Sequence, residues 1–414
     1  MTRTVFLSWA FPPMQYPRAV QVDRLVRHLD RAGLEVVCAA PTEVVAGTST
    51  SETGVRIHRL PDGLSGRVLT KVAAVWPALA AMPDAQRLWA RRAAQYICGV
   101  TALGPDDLLV TFGQPMSDHL AGLAVRRATG CRWVAHFSDP WVDNPFRPQS
   151  PLAHRENVRL ERSVMETADA LVFTSEETVD LVMAKYPEGW RARCHVLPHA
   201  FEVPAAPAEA PPRAQGPIIA RYLGNFYGAR TPEPLFRALA LLASRTPDLA
   251  ERLQVELIGQ VPPVMLAAAR TAGLPDGLVQ APGIVSYHES IALMRWADIL
   301  LTIDALAEVS VFLPSKLIDY LAWDRPLLGL TPPGTAARLI SALGGATADP
   351  NKPEDGAAAL ERMLALAEMR RQEAPESPWA RPEVREAYAA PAVARRMQAI
   401  LNATTRAAPA VSHP

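Results

Sequence analysis

The sequence predicts an α/β protein built from two Rossmann-like, doubly wound domains that face a cleft. Apolar runs of strand length alternate with segments of helical spacing along the chain. Five prolines fall within residues 203–217 and interrupt this alternation once. The length of 414 residues is enough for two hydrophobic cores. Because open α/β sheets bind ligands at the carboxyl ends of their strands, two facing sheets suit a transfer between two substrates.

The first half begins with a βαβ unit. A strand is predicted over residues 4–9, a helix over 19–29 with Gly33 after it, and a second strand over 34–39. The alternation continues with strands over 107–112, 133–137, 170–174 and 196–197 and helices over 116–129 and 176–185. Residues 1–202 are therefore predicted to form one domain.

A second alternation follows the proline-rich linker over 203–217. The predicted strands are 218–223, 255–258, 278–279, 299–303 and 326–330, and the predicted helices are 232–243, 263–272, 290–297, 316–321, 334–343 and 354–370. The second domain is thus predicted over 218–375. A C-terminal helical segment is predicted over 376–402, with a break at Pro391. This segment could pack back on the first domain. Residues 403–414 are expected to fray.

The composition narrows the class of protein. Lys plus Arg number 42 and Asp plus Glu also number 42, so no nucleic-acid partner is expected. The four cysteines are far apart and form no CxxC pair, which argues against a metal site or a disulfide framework and favours a reducing, cytoplasmic location. The opening segment is broken by proline too early for a signal peptide, and no apolar run of about 20 residues predicts a spanning helix.

The segment VFLPSKLIDYLAWDRPLLGLTPPG, residues 311–334, carries the most specific pattern. Pro314 suits a first helical turn, where its missing N–H is not needed. Lys316 and Asp319 are three residues apart and share one face of the predicted helix, while Leu317 lies on the other side. A cation beside a carboxylate can bind an anion and a pair of hydroxyls together, and a sugar nucleotide offers both as diphosphate and ribose. A surface ion pair is the alternative.

The segment RYLGNFYGARTPEPL, residues 221–235, presents a second pattern of strand, loop and helix. Thr231 is a suitable N-cap residue and Pro232 a suitable first helical residue. Free amides at this helix start, together with Arg230, favour a phosphate. An ordinary capped helix with a surface arginine is the other interpretation. No GxGxxG follows the first strand and no GxxxxGK[ST] occurs, which disfavours hydride transfer and P-loop hydrolysis.

Several motifs occur together in an order typical of one enzyme family. The chain contains, in sequence, FPPMQYPRAVQVDRLVRHLDRAGLEVVCAAP, HFSDPWVDNPF, ADALVFTSEET, YLGNFYGARTPEPLFRAL, GIVSYHESIALMRWADILLTID and FLPSKLIDYLAWDRPLLGL. In this combination, over residues 4–400, the chain resembles a family 4 glycosyltransferase of the retaining type with the GT-B fold. The resemblance implies that the first domain binds an acceptor and the second a nucleoside-diphosphate sugar.

The resemblance also implies which residues bind the donor. Arg230 and Lys316 correspond to cations that hold the pyrophosphate and act in catalysis, and Asp319 corresponds to a carboxylate that takes the ribose hydroxyls. Two departures concern acids: Asp319 stands where glutamate is usual, and Val311 stands where many members carry a second glutamate, with Glu308 nearby but out of register. The remaining donor-binding candidates are loop and helix-start residues, namely Gly224, Asn225, Gly259, Ser286, Tyr287 and Ser315.

In the first domain the resemblance implies a catalytic role for Asp139, in the motif HFSDPW. A carboxylate there could hold the donor sugar or orient the acceptor hydroxyl, whereas capping of the turn before Pro140 is the alternative. Arg18, His136 and His199 are candidates for contact with the acceptor or the cleft. A solvated helix-start arginine and a core histidine are the alternatives for Arg18 and His136.

Residues 66–95 hold five basic residues against one acidic residue, with large apolar residues interleaved. Such a basic amphipathic segment could dock at an anionic membrane. A pair of helices packed on its own domain, with a solvated basic rim, is the alternative.

The sequence therefore predicts a metal-independent, retaining glycosyltransferase of the hexosyltransferase type. It would move a sugar from a nucleoside-diphosphate sugar to a hydroxyl of a glycan or lipid-linked acceptor, in the synthesis of surface polysaccharide or glycoconjugates. No cofactor and no metal site are expected, and the location is cytoplasmic or peripheral on the inner face of the membrane. The alternatives are a nucleotide-sugar epimerase with the same fold, or a degenerate, non-catalytic partner subunit.

Overall fold

A computed structural model describes residues 2–30, 32–41, 43–62, 82–147, 149–204, 216–372 and 378–406. The chain divides into two compact units: the first comprises Met1–Ala200 with Ala390–Pro414, and the second comprises Phe201–Ala389. Each is built around a largely or wholly parallel sheet, so the predicted α/β class is confirmed. Most of the predicted linker, most of the predicted membrane-docking segment and the end of the predicted tail lie outside the described residues.

The first unit has an eight-stranded sheet. Its strands are β1 (Thr4–Leu7), β2 (Leu34–Ala40), β3 (Gly47–Thr50), β4 (Arg56–Pro61), β5 (Leu108–Phe112), β6 (Arg132–Phe137), β7 (Ala170–Phe173) and β8 (Cys194–Val196). They lie in the order β3-β4-β2-β1-β5-β6-β7-β8, and all neighbours are parallel except β3, which is antiparallel to β4. The sequence did not predict β3 or β4, and it placed β8 two residues too late.

Helices cover both faces of this sheet. They are α1 (Pro17–His28), α2 (Arg87–Tyr96), α3 (Ser117–Thr129), α4 (Pro151–Thr167), α5 (Glu176–Met183) and α6 (Glu188–Arg191). Alternate residues of β1 enter different cores, since Val5 and Leu7 pack with Trp89 of α2 whereas Phe6 packs with Val22 of α1. Burial on both faces explains why the strands read as continuous apolar runs. The helix α4 was not predicted.

The second unit has a six-stranded sheet in which all pairings are parallel. Its strands, in the order β11-β10-β9-β12-β13-β14, are numbered along the chain as β9 (Ile218–Leu223), β10 (Leu253–Ile258), β11 (Val279–Gly283), β12 (Ile299–Ile303), β13 (Leu327–Leu330) and β14 (Ala346–Ala348). The predicted strand over 278–279 is therefore longer and begins one residue later.

The helices of the second unit follow the predicted alternation. They are α7 (Glu233–Arg245), α8 (Pro247–Glu251), α9 (Pro263–Thr271), α10 (Tyr287–Arg295), α11 (Ser315–Tyr320), α12 (Thr335–Leu343), α13 (Pro353–Gln372) and α14 (Pro382–Glu386). The helix predicted over 290–297 begins earlier because Ser286 and Glu289 form a capping box at its start. Leu300, Leu317 and Leu339 share one core, on the face of the sheet covered by α11 and α12.

The last helix, α15 (Ala390–Arg406), belongs to the first unit. It buries Val393, Met397 and Leu401 in the same core as Val22 of α1. Pro391 lies in the first turn of α15, where a missing N–H costs no hydrogen bond, so it starts this helix. The predicted break at Pro391 is thus displaced to residues 387–389, between α14 and α15.

The longest helix among the described residues, α13, has 20 residues and carries charged side chains along its length. No helix in the described ranges is both long and apolar enough to cross a bilayer.

Candidate functional site

Three predicted donor-binding residues of the second unit meet where β9 and β10 end. Gly224 donates its N–H to the carbonyl of Ile258 at 2.9 Å, and the Asn225 side-chain oxygen accepts from the N–H of Gln260 at 2.8 Å. Gly259 has a φ of 128°, and a Cβ there would lie 2.2 Å from the carbonyl oxygen of Gly224. The close approach of these two loops requires glycine at position 259. Gly224 and Gly259 both remain partly exposed at the carboxyl edge of the sheet.

Arg230 lies in the loop between β9 and α7. Its Nη2 atom is 3.4 Å from Oδ1 of Asp304, and its guanidinium lies 5.4 Å from the ring centroid of Tyr227. Burial, opposed by the charge of Arg230 and a hydrogen bond with it, raises the pKa of Tyr222 to about 12. The Thr231 hydroxyl accepts a hydrogen bond from the N–H of Glu233 at 3.3 Å, although the helix itself begins at Glu233, one residue later than predicted.

Asp304 is the residue of this site that the sequence interpretation missed. It directly follows β12 and is 2% exposed. Its carboxylate accepts from the N–H of Ala305 at 2.8 Å and from the hydroxyl of Ser310. The signal that could have identified it is a carboxylate immediately after a buried strand of a parallel sheet, at the edge where ligands bind.

The predicted pair on α11 is formed. Nζ of Lys316 lies 3.8 Å from Oδ2 of Asp319, one helical turn away, and 5.9 Å from the ring centroid of Tyr287. Leu317 and Ile318 are fully buried on the opposite side. Lys316 retains 35% of its side-chain exposure and Asp319 retains 15%. The cation, the carboxylate and the aromatic ring thus form one group that solvent reaches.

The other predicted residues of the second unit have local backbone roles. The Ser286 hydroxyl accepts from the N–H of Glu289 at 3.2 Å, and the Glu289 carboxylate accepts from the N–H of Ser286 at 2.8 Å. Ser315 is the first residue of α11. Glu308 is exposed, whereas Val311 is half-buried, in the loop that precedes α11.

In the first unit, Asp139 follows β6 and accepts a hydrogen bond from the side-chain amide of Gln114, in the loop after β5. Gln114 has a φ of 70°, a left-handed conformation that is uncommon for residues other than glycine. Asp139 is half-buried. The structure therefore brings it together with a residue that the sequence interpretation did not select.

The structure brings Arg18, His136 and His199 together. They line a cavity of about 10 Å³, the space that one water molecule needs. Arg18 is 7% exposed and His136 is 3% exposed. Within the described ranges, Nη2 of Arg18 and Nδ1 of His136 are buried and make no hydrogen bond. Arg18 is therefore not the solvated helix-start residue of the alternative interpretation.

Burial determines the protonation states of the side chains around this cavity. It lowers the pKa of Arg18 to about 10, against the opposing charges of Asp139 and Asp118. Burial, and then the charge of Arg18, lower the pKa of His199 to about 3 and that of His136 well below its usual range. At neutral pH the two imidazoles are thus uncharged beside a cationic guanidinium.

Asp118 and His119, at the start of α3, form a second buried polar group of the first unit. Oδ2 of Asp118 accepts from the N–H of Trp9 at 2.8 Å, and burial raises its pKa well above the usual value. The Thr111 hydroxyl accepts from Nε1 of Trp133 at 2.9 Å and forms a hydrogen bond with Nδ1 of His119 at 2.8 Å.

Residues 19–200 match the family model described as a glycosyl transferase 4-like domain. No curated protein matches the sequence. Over both units the chain is similar to solved structures at low sequence identity. The alpha,alpha-trehalose 6-phosphate synthase from Burkholderia multivorans is 14% identical with a TM-score of 0.64, over 97% of this chain and 99% of that chain.

Two further structures give the same result. A structure from E. coli, described as trehalose-6-phosphate bound with UDP-2-fluoro glucose, is 15% identical with a TM-score of 0.66, over 99% of this chain and 100% of that chain. The lipopolysaccharide outer core galactosyltransferase WaaB is 14% identical with a TM-score of 0.60, over 97% of this chain and 99% of that chain. At these identities the likeness establishes the fold alone, while the domain match points to the enzyme class. The chain therefore has the GT-B fold of these structures, and its residues 19–200 are similar to a glycosyl transferase 4-like domain, which supports a transferase enzyme.

Proposed function

We propose that the chain is a retaining glycosyltransferase that takes its sugar from a nucleoside-diphosphate sugar bound by the second unit. The observation that carries the proposal is the grouping of Lys316 and Asp319 on α11 with Tyr287 at the start of α10. It combines a cation, a carboxylate and an aromatic face, which suit a diphosphate, a ribose and a base. Neither an epimerase nor a non-catalytic subunit is favoured by the comparisons.

Arg230 and Lys316 supply the positive charge that this reaction needs. The bond between the sugar C1 and the diphosphate oxygen breaks and its electron pair leaves with the diphosphate, while C1 bonds to the acceptor oxygen, whose O–H bond breaks and releases its proton. Charge that develops on a leaving group is best stabilised by fixed donors and cations. The proposal therefore assigns no metal ion and no cofactor to the transfer. Gly224, Asn225, Gly259, Ser286 and Ser315 complete the proposed donor site.

The acceptor is proposed to bind the first unit through a hydroxyl group. Asp139 is the proposed catalytic-site carboxylate, and Arg18, His136 and His199 are proposed contacts at the carboxyl end of the sheet. Arg18 and His136 are buried around a cavity the size of one water molecule, so His199, which is partly exposed, is the proposed direct contact of this group. We propose a glycan or lipid-linked acceptor, for surface polysaccharide or glycoconjugate synthesis, at a cytoplasmic site that includes the inner face of the membrane.

A panel of nucleotide sugars tests the donor proposal. UDP-glucose is the first choice, because a neighbouring structure is described with a UDP-linked fluoro-glucose. Sugars of GDP, ADP and dTDP complete the panel. We expect at least one of them to raise the thermal midpoint of unfolding, since a ligand that binds only the folded state stabilises it. A panel in which no nucleotide sugar shifts the midpoint would contradict the proposal.

A further inference from the structure

Asp304 and Arg230 are brought together by two adjacent strands of the second unit. Asp304 follows β12, Arg230 lies in the loop after β9, and β9 and β12 are hydrogen-bonded neighbours. We propose that Asp304 is a positioning residue that fixes the guanidinium of Arg230 for the donor diphosphate. The proposal rests on the donor site proposed above, and it adds a carboxylate that was not among the predicted site residues.

The carboxylate of Asp304 is itself held rigidly. Oδ1 accepts from the N–H of Ala305 at 2.8 Å and faces Nη2 of Arg230 at 3.4 Å, while Oδ2 accepts from the hydroxyl of Ser310. Both oxygens are therefore engaged, and the residue is 2% exposed. A side chain with fixed partners on both oxygens holds one rotamer, so it can impose one orientation on Arg230.

Arg230 gains from such a partner because its side chain is only 16% exposed. The burial of Arg230 lowers its pKa, but the charges of Tyr222 and Asp304 outweigh this effect and the pKa is raised. Removal of the carboxylate would leave the guanidinium in a poorly hydrated place without that charge. An arginine that must present its fork to a phosphate loses affinity when its orientation is no longer fixed.

The same contacts connect Asp304 to the loop that leads into α11. The N–H of Ser310 donates to the carbonyl of Pro333 at 2.8 Å. Gly334 packs against this point so closely that a Cβ there would lie 2.3 Å from the carbonyl oxygen of Ser310. Asp304 therefore links Arg230 to an anchored loop that ends where α11, the helix that carries Lys316, begins. Both proposed diphosphate cations are thereby held in one local framework.

Asp298 offers a matched control for this proposal. It precedes β12 as Asp304 follows it, and its carboxylate pairs with Nη2 of Arg371 at 2.6 Å. Asp298→Asn thus removes a similar partly buried ion pair from the opposite end of the same strand. Any loss of affinity that comes from general destabilisation should occur in both variants.

The test is isothermal titration of the full chain with UDP and with UMP, or with GDP, ADP or dTDP and their monophosphates where UDP does not bind. Ala305 and Ser310 donate to different oxygens of Asp304, so a side-chain amide in its place would put an NH₂ group toward one of them and would carry no charge opposite Arg230. We therefore expect Asp304→Asn to weaken diphosphate binding about tenfold, and monophosphate binding less than about twofold. In an Arg230→Ala background, Asp304→Asn should change diphosphate binding by less than about twofold, since the two residues act as a unit. Asp298→Asn should leave affinity unchanged.

The proposal is overturned if Asp304→Asn leaves diphosphate affinity unchanged or increases it. It is also overturned if Asp304→Asn weakens monophosphate binding as much as diphosphate binding, or if its full effect is seen in the Arg230→Ala background. Ser310→Ala removes one hydroxyl from the carboxylate and serves in the same cycle if Asp304→Asn does not fold. If the unmodified chain binds none of these nucleotides, the donor site fails and this proposal fails with it. If the unmodified chain binds a nucleotide but the effects of Asp304→Asn and Arg230→Ala add in full, only the positioning role of Asp304 is refuted.

Discussion

Nζ of Lys316 lies 3.8 Å from Oδ2 of Asp319, on one face of α11, with the ring of Tyr287 beside the cation. An exposed pair at this spacing stabilises a protein by only about 0.5 kcal/mol. A structural reason for the pair is therefore weak. The pair lies at the carboxyl side of a parallel sheet, where such folds bind ligands. Binding of an anion and of hydroxyl groups explains the pair better.

Asp319 is predicted to recognise ribose hydroxyls. We expect the unmodified chain to bind a ribonucleoside diphosphate about tenfold more tightly than its 2′,3′-dideoxy analogue, because the analogue has no ribose hydroxyls to donate to the carboxylate. Asp319→Ala should bind both ligands with similar, weaker affinity. Isothermal titration of the four combinations checks this expectation. Equal discrimination by the variant and the unmodified chain would assign the ribose contact to another residue.

Asp139 is predicted to act in turnover and not in nucleotide binding. Asp139→Asn should lower the rate of nucleoside diphosphate release, measured with an acceptor-containing extract, by about a hundredfold. Gln114→Ala, which removes the amide that donates to Asp139, should give a smaller loss. Asp143→Asn is the control, because that carboxylate pairs with Lys185 in the same unit. If Asp139 merely caps its turn, Asp139→Asn should lower stability while the rate of the folded enzyme stays the same.

Gly259 is predicted to be required for folding of the loop edge. It has a φ of 128°, and a Cβ would lie 2.2 Å from the Gly224 carbonyl oxygen. Gly259→Ala should lower the free energy of unfolding by more than about 2 kcal/mol. Gly273→Ala is the matched control, since Gly273 has a φ of 73° but no heavy atom near the added Cβ, and it should cost about 1 kcal/mol. Chemical denaturation measures both, and equal costs would refute the steric argument.

The buried histidines predict loss of stability in acid. Burial, and then the charge of Arg18, lower the pKa of His119 to about 3, whereas an unfolded histidine binds a proton below about pH 6.5. Between these values the unfolded chain binds the extra proton, so the free energy of unfolding falls by up to about 1.4 kcal/mol per pH unit for this group as the pH falls. Asp118, whose pKa is raised by burial, acts in the opposite direction.

A comparison of variants isolates the histidine contribution. His119→Asn should reduce the pH dependence of the free energy of unfolding between pH 6.5 and pH 4, whereas a variant of the exposed His154 on α4 should not reduce it in this way. Urea denaturation at several pH values supplies the slopes. A His119→Asn slope equal to that of the unmodified chain would show that His119 is protonated in the folded state.

The predictable parts of the fold are those with buried, apolar strands. The strand β12 has five fully buried residues and was predicted with its observed bounds. By contrast, β3 has the sequence GTST and is exposed along its length, so it lacks an apolar signal and depends on pairing with β4. The helix α4 was missed because its buried side chains, such as Leu160 and Val164, are separated by many charged ones.

The site, too, could be predicted only in part from the sequence. The relation between Lys316 and Asp319 follows from helical spacing, which a sequence displays directly. The contact between Arg230 and Asp304 joins residues 74 positions apart and exists because β9 and β12 are neighbours in the sheet. Strand order is not visible in one sequence. The cavity beside Arg18 likewise depends on loops that follow different strands.

The central claim is that the second unit binds a nucleoside-diphosphate sugar through Lys316. Isothermal titration of Lys316→Ala against the nucleotide sugar that stabilises the unmodified chain tests it most directly. The control is Lys352→Ala, which removes a lysine paired with Asp349 at 3.7 Å in the same spacing. We expect at least about a tenfold loss of affinity for Lys316→Ala, as for a lost charge-assisted contact, and less than about a twofold change for the control. Equal affinities of the two variants would contradict the claim.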